Sequence, residues 1–300
     1  MTTEERELLV CVTIDVDLIS ATSSSVASEM PAWRRQLERL RVAIPDFRAT
    51  VFVRADHQLE QLFGRADHIF VEYEQELRQV ASNGHELGWH PHSYSRIDGR
   101  WIQNTNEELM VSELEQVAAQ LDGFELEACR MGWGFHTNKT MEVVDRLGFS
   151  VDSSAIPRPV YRWEDSIKDW TSTPDHPYHP SHRDYRVPGG PAFRILEVPM
   201  SVVPVPAPHD TEPGVKRYLN LVYWPEIFKT AVRRWIPHHN HLVTITHAHE
   251  LLGQQTHPLF SPDQHVLEAN LQTLNRIVAD AGKQLRYITL SEFAGSASAI

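Results

Sequence analysis

The chain of 300 residues, of which 41% are hydrophobic and 23% charged, has the composition of an ordinary globular protein, so the disordered and fibrous classes are excluded. Its 28 basic and 40 acidic residues give a net charge of −12 without a basic run, which argues against nucleic acid or an anionic membrane surface as a partner. A small-molecule or saccharide substrate fits better. No long apolar segment opens the chain or follows later, so we expect a cytoplasmic protein without a membrane span.

Apolar runs alternate with helical patterns along the chain. Most of the runs are continuous, which is typical of strands buried on both faces. Strand alternating with helix predicts an α/β fold with a parallel sheet, and about eight strands predict a barrel. The predicted strands span Leu8–Asp15, Ala49–Val53, Glu86–His90, Leu126–Arg130, Ser150–Ser153, Ile195–Val198, Leu242–Thr246 and Leu285–Leu290. The predicted helices span Ala32–Val42, Glu72–Ala81, Glu107–Leu121, Lys139–Leu147, Val215–Arg234 and Pro262–Ala281.

Helix boundaries support these assignments. Asn106 and Asn138 precede two of the helical patterns, and Gly148 follows the pattern that ends at Leu147. The whole chain, residues 1–300, is therefore expected to form one domain.

A segment of about residues 155–213 interrupts the alternation and is rich in proline and aromatic residues. Long loops of this kind are usually functional or disordered. The aromatic content favours an ordered lid or pocket wall, in which Trp170 and Tyr178 contact the substrate. A packed insertion without ligand contact is the alternative.

Asp15 and Asp17 end the first predicted strand. Residues two apart on a strand share a face, so both carboxylates are expected in one site. Two ionised carboxylates this close require a compensating cation, which predicts a bound metal or an arginine nearby. The alternative is an acidic turn or helix cap.

His90 and His92 follow the third predicted strand and can chelate one ion, with Pro91 stiffening the backbone between them. His-x-His alone is weak evidence, but together with Asp-x-Asp it supplies three ligands of the kind that zinc prefers and leaves one carboxylate over. This residue inventory is typical of a mononuclear metal hydrolase.

Three further residues are candidates for the chemistry. His247 ends the seventh run, where barrel enzymes place catalytic groups, and can protonate a leaving nitrogen. Arg130 ends the fourth run and could hold Asp15 ionised as a base, while Trp133 could form a pocket wall. Structural roles for His247 and Arg130 are the alternatives.

Taken in order, these segments resemble the polysaccharide deacetylase family, the carbohydrate esterases built on the NodB homology domain. The resembling segments are TIDVD, ATVFV, GHELGWH, CRMGWG and THAHE, and they span nearly the whole chain. The resemblance implies a distorted (β/α) barrel of seven or eight strands and a metal-dependent amide hydrolysis. It also implies Asp15 as general base, Asp17 and His90 as metal ligands, Arg130 as the residue that orients Asp15, and His247 as general acid.

The sequence departs from the family pattern at two positions. Val16 separates aspartates that are usually adjacent, a spacing similar to that in some intracellular members. Four residues after His90, where a second histidine is usual, stands Tyr94. We therefore predict His92 as the third ligand of one divalent ion, either zinc, cobalt or nickel.

The predicted activity is hydrolysis of an N-acetyl or N-formyl amide, with an amino sugar or sugar conjugate as substrate. A non-carbohydrate amide or cyclic imide hydrolase on the same fold is the first alternative, because fold does not fix substrate. A glycosyltransferase that uses Asp-x-Asp to hold a metal-nucleotide complex would leave the histidines without a role. A sugar-binding protein without turnover would require that the metal site has been lost.

Overall fold

The computed structural model describes residues 7–17, 23–163, 166–211, 213–252 and 257–297. Its strands are β1 (Glu7–Val16), β2 (Ala49–Arg54), β3 (Glu86–His90), β4 (Tyr94–Ile97), β5 (Arg100–Gln103), β6 (Ala128–Cys129), β7 (Val151–Asp152), β8 (Tyr161–Trp163), β9 (Ser166–Lys168), β10 (Leu196–Glu197), β11 (Val202–Pro204), β12 (Lys216–Tyr218), β13 (His241–His247) and β14 (Gln284–Tyr287). Its helices are α1 (Ser23–Ala43), α2 (His57–Phe63), α3 (His68–Glu72), α4 (Glu74–Ser82), α5 (Glu107–Ala118), α6 (Asn138–Arg146), α7 (Pro225–Trp235), α8 (Val266–Asp280) and α9 (Leu290–Ala297).

The main sheet contains eight strands in the order β10-β7-β6-β3-β2-β1-β13, with β14 also paired to β1. Every pair within it is parallel. All eight predicted strands contribute to this sheet, and the α/β barrel class is confirmed. The continuous apolar runs arise because helices cover the sheet on its outer face while the inner face is packed with side chains.

The barrel is distorted because its two outermost strands do not form a ladder. The segments that follow β10 bond to β13 at single points instead: the Ser201 amide donates to the Val243 carbonyl at 3.2 Å, and the Ile245 amide donates to the Leu219 carbonyl at 3.0 Å. β1 lies next to the outermost strand β13, which pairs along one of its edges, while both β14 and β2 pair along the other.

The side chains of β1 alternate between two buried clusters, as the strand period of two requires. Val10, Val12 and Ile14 belong to the large cluster beneath the helices. Cys11 belongs to a smaller cluster in the barrel interior. Asp15 lies an even number of residues from Cys11, so its carboxylate continues the inner face towards the carboxyl end of the barrel.

Several predicted helix starts are wrong. α1 begins at Ser23 instead of Ala32, and α8 begins at Val266 instead of Pro262. Asn106 caps α5 as predicted, accepting from the Glu108 amide at 3.1 Å, but α6 is capped by Thr137 instead of Asn138. The predicted helix over Val215–Arg234 begins only at Pro225, because Lys216–Tyr218 pairs antiparallel with β11 as strand β12. Pro225 occupies the first helical turn, where its missing amide costs nothing.

Within the described part of the segment of about residues 155–213, β8 and β9 pair antiparallel. Trp170 and Tyr178, which we predicted to contact substrate, are instead buried core residues. The Trp170 indole nitrogen donates to the Gly134 carbonyl at 2.7 Å, and the Tyr178 hydroxyl donates to the Tyr185 carbonyl at 3.1 Å. Both aromatic rings stabilise the insertion and have no free polar atom to offer a ligand.

Among the described helices, none has the length and apolar character to cross a bilayer.

Candidate active site

The predicted site residues converge at the carboxyl end of the barrel. Asp15 on β1 pairs in register with His247 on β13, so the two side chains start from neighbouring strands. Active sites of barrels lie at this end, because the strand-end loops all open there.

Asp17, His90 and His92 bring three ligand atoms together within 4.8 Å of one another. His92 Nε2 lies 3.2 Å from His90 Nε2 and 3.4 Å from Asp17 Oδ2. Metal–ligand bonds of about 2.0–2.1 Å at tetrahedral angles place neighbouring ligand atoms about 3.3–3.4 Å apart. The two distances therefore match adjacent edges of a tetrahedral zinc-type site, and the donor set fits a divalent ion.

His90 is held in the form that a metal ligand requires. Its Nδ1 donates to the Arg130 carbonyl at 2.7 Å, which fixes the proton on Nδ1 and turns the Nε2 lone pair towards His92. Burial lowers the pKa of His90 to about 4, so the imidazole is neutral at physiological pH. At 3.2 Å the Nε2 atoms of His90 and His92 can share an N–H···N hydrogen bond or both bind one metal ion.

His92 is clamped between Gly132 and Tyr94. A Cβ at position 132 would lie 2.3 Å from the His92 ring, so only glycine allows this approach. The Tyr94 ring stacks on the other imidazole face, with ring centroids 5.3 Å apart. Tyr94, at the position where the family pattern predicted a histidine, thus packs on the candidate ligand His92.

Asp17 carries its negative charge at the edge of this group. Burial alone would raise its pKa, but His92 and Arg54 hold the pKa well below its usual range. Arg54 NH1 lies 3.5 Å from Asp17 Oδ1 and is itself 1% exposed. The sequence analysis missed Arg54, although a charged residue directly after the apolar run Ala49–Val53 is a recognisable signal.

Asp15 and Arg130 form a buried ion pair. Arg130 NH1 donates to Asp15 Oδ1 and to the Thr13 hydroxyl, both at 2.7 Å, and Arg130 Nε donates to the Ser153 carbonyl at 2.7 Å. Burial raises the pKa of Asp15, but Arg130 and His90 outweigh this and lower it below its ordinary value. Asp15 Oδ2 faces His90 Nε2 at 4.0 Å, so an ionised, oriented carboxylate stands beside the candidate metal ligands.

His247 is paired with Glu250, a residue that the sequence analysis quoted without giving it a role. His247 Nδ1 donates to Glu250 Oε1 at 3.1 Å, and Glu250 Oε2 accepts from the Asn220 amide at 2.7 Å. Burial opposes protonation of His247, but Glu250 and then Asp15 raise the pKa to about 9. The imidazolium is held in one orientation, which is the requirement for a general acid. The spacing His-x-x-Glu at a strand end could have revealed Glu250.

Trp133 lies beside this group, with its ring centroid 6.0 Å from that of His92 and 5.5 Å from that of Tyr94. Its backbone adopts φ of 62°, a costly conformation for a tryptophan. Its buried indole nitrogen has no hydrogen-bond partner among the described residues. The structure thus brings Asp15, Asp17, His90, His92, Arg130, Trp133 and His247 to one place, and leaves Trp170 and Tyr178 in contacts elsewhere.

No known family model and no curated protein matches this sequence. Solved structures do match. A proposed polysaccharide deacetylase from Mycobacterium smegmatis aligns over 98% of this chain and 91% of its own, with 16% identity and a TM-score of 0.56. A family 4 carbohydrate esterase from Streptomyces lividans aligns over 94% and 92%, with 14% identity and a TM-score of 0.41.

A 4-alpha-glucanotransferase from Thermococcus litoralis aligns over 97% of this chain but only 40% of its own, with 11% identity and a TM-score of 0.52. The fold likeness to polysaccharide deacetylases that the sequence indicated is therefore confirmed over nearly the whole chain. Because a glucanotransferase shares much of the same fold, the activity must be argued from the site.

Proposed function

From a chain with the fold of a polysaccharide deacetylase, we propose metal-dependent hydrolysis of an N-acetyl or N-formyl amide, with an amino sugar or sugar conjugate as substrate. Asp17, His90 and His92 would hold the divalent ion, for which zinc fits the donor set. The observation that carries the proposal is that a buried carboxylate paired with Arg130 and an imidazole paired with Glu250 stand beside the three candidate ligands.

A divalent ion at this group would lower the pKa of a water molecule towards about 7 and polarise the amide carbonyl. Asp15 Oδ2, turned towards His90, takes the proton of the attacking water, while Arg130 keeps the carboxylate ionised and in place. His247 donates its Nε2 proton to the departing amine nitrogen, because an amide cannot expel an amine anion unaided. Glu250 holds the opposite ring nitrogen and supports the positive charge before transfer.

The first experiment is elemental analysis of protein purified without added metal, beside Asp17→Ala and His92→Ala. About one equivalent of zinc, cobalt or nickel in the parent, lost in both variants, supports the ligand set. His176→Gln serves as the matched control, since His176 is 65% exposed and lies outside the ligand group.

A substrate panel follows on the metal-loaded protein and compares N-acetyl and N-formyl amino sugars with cyclic ureides and simple N-acyl amines. Release of acetate or formate from the sugars alone supports the proposed substrate class. Hydrolysis of the cyclic compounds alone would contradict the proposed substrate class and support the alternative, a cyclic imide hydrolase. Absence of metal even after reconstitution would refute a metal-dependent reaction.

A further inference from the structure

The β8–β9 hairpin of the insertion lies against the segment around Trp133 and against β5. Ile167 is fixed there by a reciprocal pair of bonds with Gln103: its amide donates to Gln103 Oε1 at 2.6 Å, and Gln103 Nε2 donates to its carbonyl at 2.9 Å. The next residue, Lys168, is therefore held at a defined position near the active site.

Lys168 is half-buried, and no carboxylate among the described residues lies within ion-pair distance of its ammonium group. Burial and the neighbouring Arg158 lower its pKa to about 8, while Asp17 acts in the opposite direction. Across the β8–β9 pair Lys168 is the register partner of Tyr161, so the two side chains start side by side on one face of the hairpin.

Arg158 is also half-buried and has no carboxylate partner within the described chain. Its guanidinium carbon lies 4.7 Å from the Tyr161 ring centroid, and its buried Nε has no hydrogen-bond acceptor. Its charge also acts on Tyr218, whose ring centroid is 6.4 Å from that of His247. Because Tyr161 is the register partner of Lys168, the guanidinium over the Tyr161 ring lies beside Lys168, and the two cations are neighbours.

Arg158 and Lys168 lack the carboxylate partners that Arg54 and Arg130 have within the described residues. Arg54 lies against Asp17 and Asp56, and Arg130 lies against Asp15, so each of those charges is compensated. Two half-buried positive charges beside each other lose hydration and repel, which is costly unless an anion joins them. In a protein of net charge −12, such a pair is a local exception.

We propose that Arg158 and Lys168 form a subsite for an anionic group of the substrate, a carboxylate or a phosphate. The proposal rests on the proposed function, because the substrate's amide is placed at the ligand group while its acidic group contacts the two cations. The carboxylates Asp15 and Asp17 repel an anion at the reaction centre, and the cations attract it to the insertion side. The pair thereby orients the substrate as well as binding it.

A binding measurement tests the subsite without turnover. Inorganic phosphate and acetate are titrated calorimetrically into the parent protein and into Lys168→Met and Arg158→Met, in the presence of a chelator so that no metal binds the anion. We expect each substitution to weaken phosphate binding by roughly ten- to hundredfold, the range for a lost hydrogen bond to a charged group. Arg162→Met, at an exposed position of the same hairpin, should leave it unchanged.

Lys168→Arg should retain binding, which separates loss of charge from damage to the hairpin. A second arm measures KM and kcat for N-acetylglucosamine, its 6-phosphate and N-acetylmuramic acid. A lower KM for the phosphorylated or the carboxylated sugar in the parent, but not in either methionine variant, supports the subsite. The sugar with the lower KM identifies the anion. Equal phosphate binding by all the proteins overturns it. If the parent hydrolyses none of the three sugars, the proposed activity fails while the titration still decides the subsite.

Discussion

At the strand ends each charged side chain lies against a side chain of opposite charge. The neighbouring segments carry two cations without a carboxylate partner, and an indole N–H without a hydrogen-bond acceptor, among the described residues. We call the first set the strand half and the second the loop half. The strand half comprises Asp15, Asp17, Arg54, His90, Arg130, His247 and Glu250. The loop half comprises Trp133, Arg158 and Lys168.

The difference indicates a division of labour. A reaction centre must hold its own geometry before substrate arrives, and reciprocal ion pairs such as Asp15–Arg130 provide this. A recognition surface instead keeps its bonding capacity for the ligand, since groups already paired within the protein gain little from binding. The following changes test whether the two halves behave in these two ways.

The largest effect is expected from Asp15→Asn in the strand half. Removing the base should lower kcat by about 10²–10⁴-fold, the usual contribution of a positioned general base. Metal content should stay at the parent level, because Asp15 is not one of the three ligands. Elemental analysis beside steady-state kinetics checks this, with Asp17→Asn as the variant that loses metal. Loss of metal in Asp15→Asn would contradict the assigned roles.

Gly132→Ala tests the clamp on His92. The added methyl group would meet the imidazole at 2.3 Å and displace it, so metal affinity should fall by about 10–100-fold, as for other changes around a ligand. Competition with a metal-binding dye measures the affinity. Gly123→Ala is the matched control, since nothing lies within 4 Å of a Cβ there. Unchanged affinity in Gly132→Ala would show that His92 does not ligate.

Glu250→Gln tests the acid. With its pKa raised to about 9, His247 keeps its proton until the pH passes that value, and turnover should decline only above it. Without Glu250 the pKa falls to the ordinary value of about 6.5 or lower, so turnover at pH 8 should drop by about 30-fold. The pH profile of kcat measures the shift, with the exposed Glu226→Gln as control.

The same raised pKa means that the His247–Glu250 pair stabilises the fold below about pH 6.5, and that this contribution is lost as pH rises through about 9.

The smallest effect on stability is expected from Trp133→Phe in the loop half. No described residue accepts a hydrogen bond from the indole N–H, so its removal should leave the free energy of unfolding unchanged or raise it by about 1 kcal/mol. Urea denaturation measures this, and Trp170→Phe, which loses a bond to the Gly134 carbonyl, is the contrast that should destabilise. Destabilisation by Trp133→Phe beyond about 2 kcal/mol would show that the N–H is satisfied within the protein.

The sequence predicted the strand half well because strand periodicity fixes which side chains share a face. Asp15 and Asp17 follow from a buried run, and the parallel sheet then brings them to the ends of β3 and β13. Eight apolar runs, most of them continuous and several separated by helical patterns, were sufficient to predict the parallel sheet.

The loop half could not be predicted in this way. Arg158 and Lys168 are ten residues apart in a segment without period, and only the path of the β8–β9 hairpin brings their charges together. Trp170 and Tyr178 were misassigned for the related reason that an aromatic side chain in an irregular segment packs a core as readily as it lines a pocket. The predicted start of α7 was wrong because the apolar and polar residues of Val215–Tyr218 are compatible with both the helical and the strand period.

The sharing of one edge of β1 between β2 and β14 has a consequence for biosynthesis. Its amino-terminal half, from Glu7, pairs with β14 from Gln284, while its carboxyl-terminal half pairs with β2. The backbone groups at the start of β1 find their partners only when the ribosome has synthesised β14, which ends at Tyr287. During nearly all of synthesis the nascent chain therefore exposes unpaired backbone groups on an apolar strand. Truncation ahead of Gln284 should therefore yield aggregated protein even though every residue of the catalytic group is present.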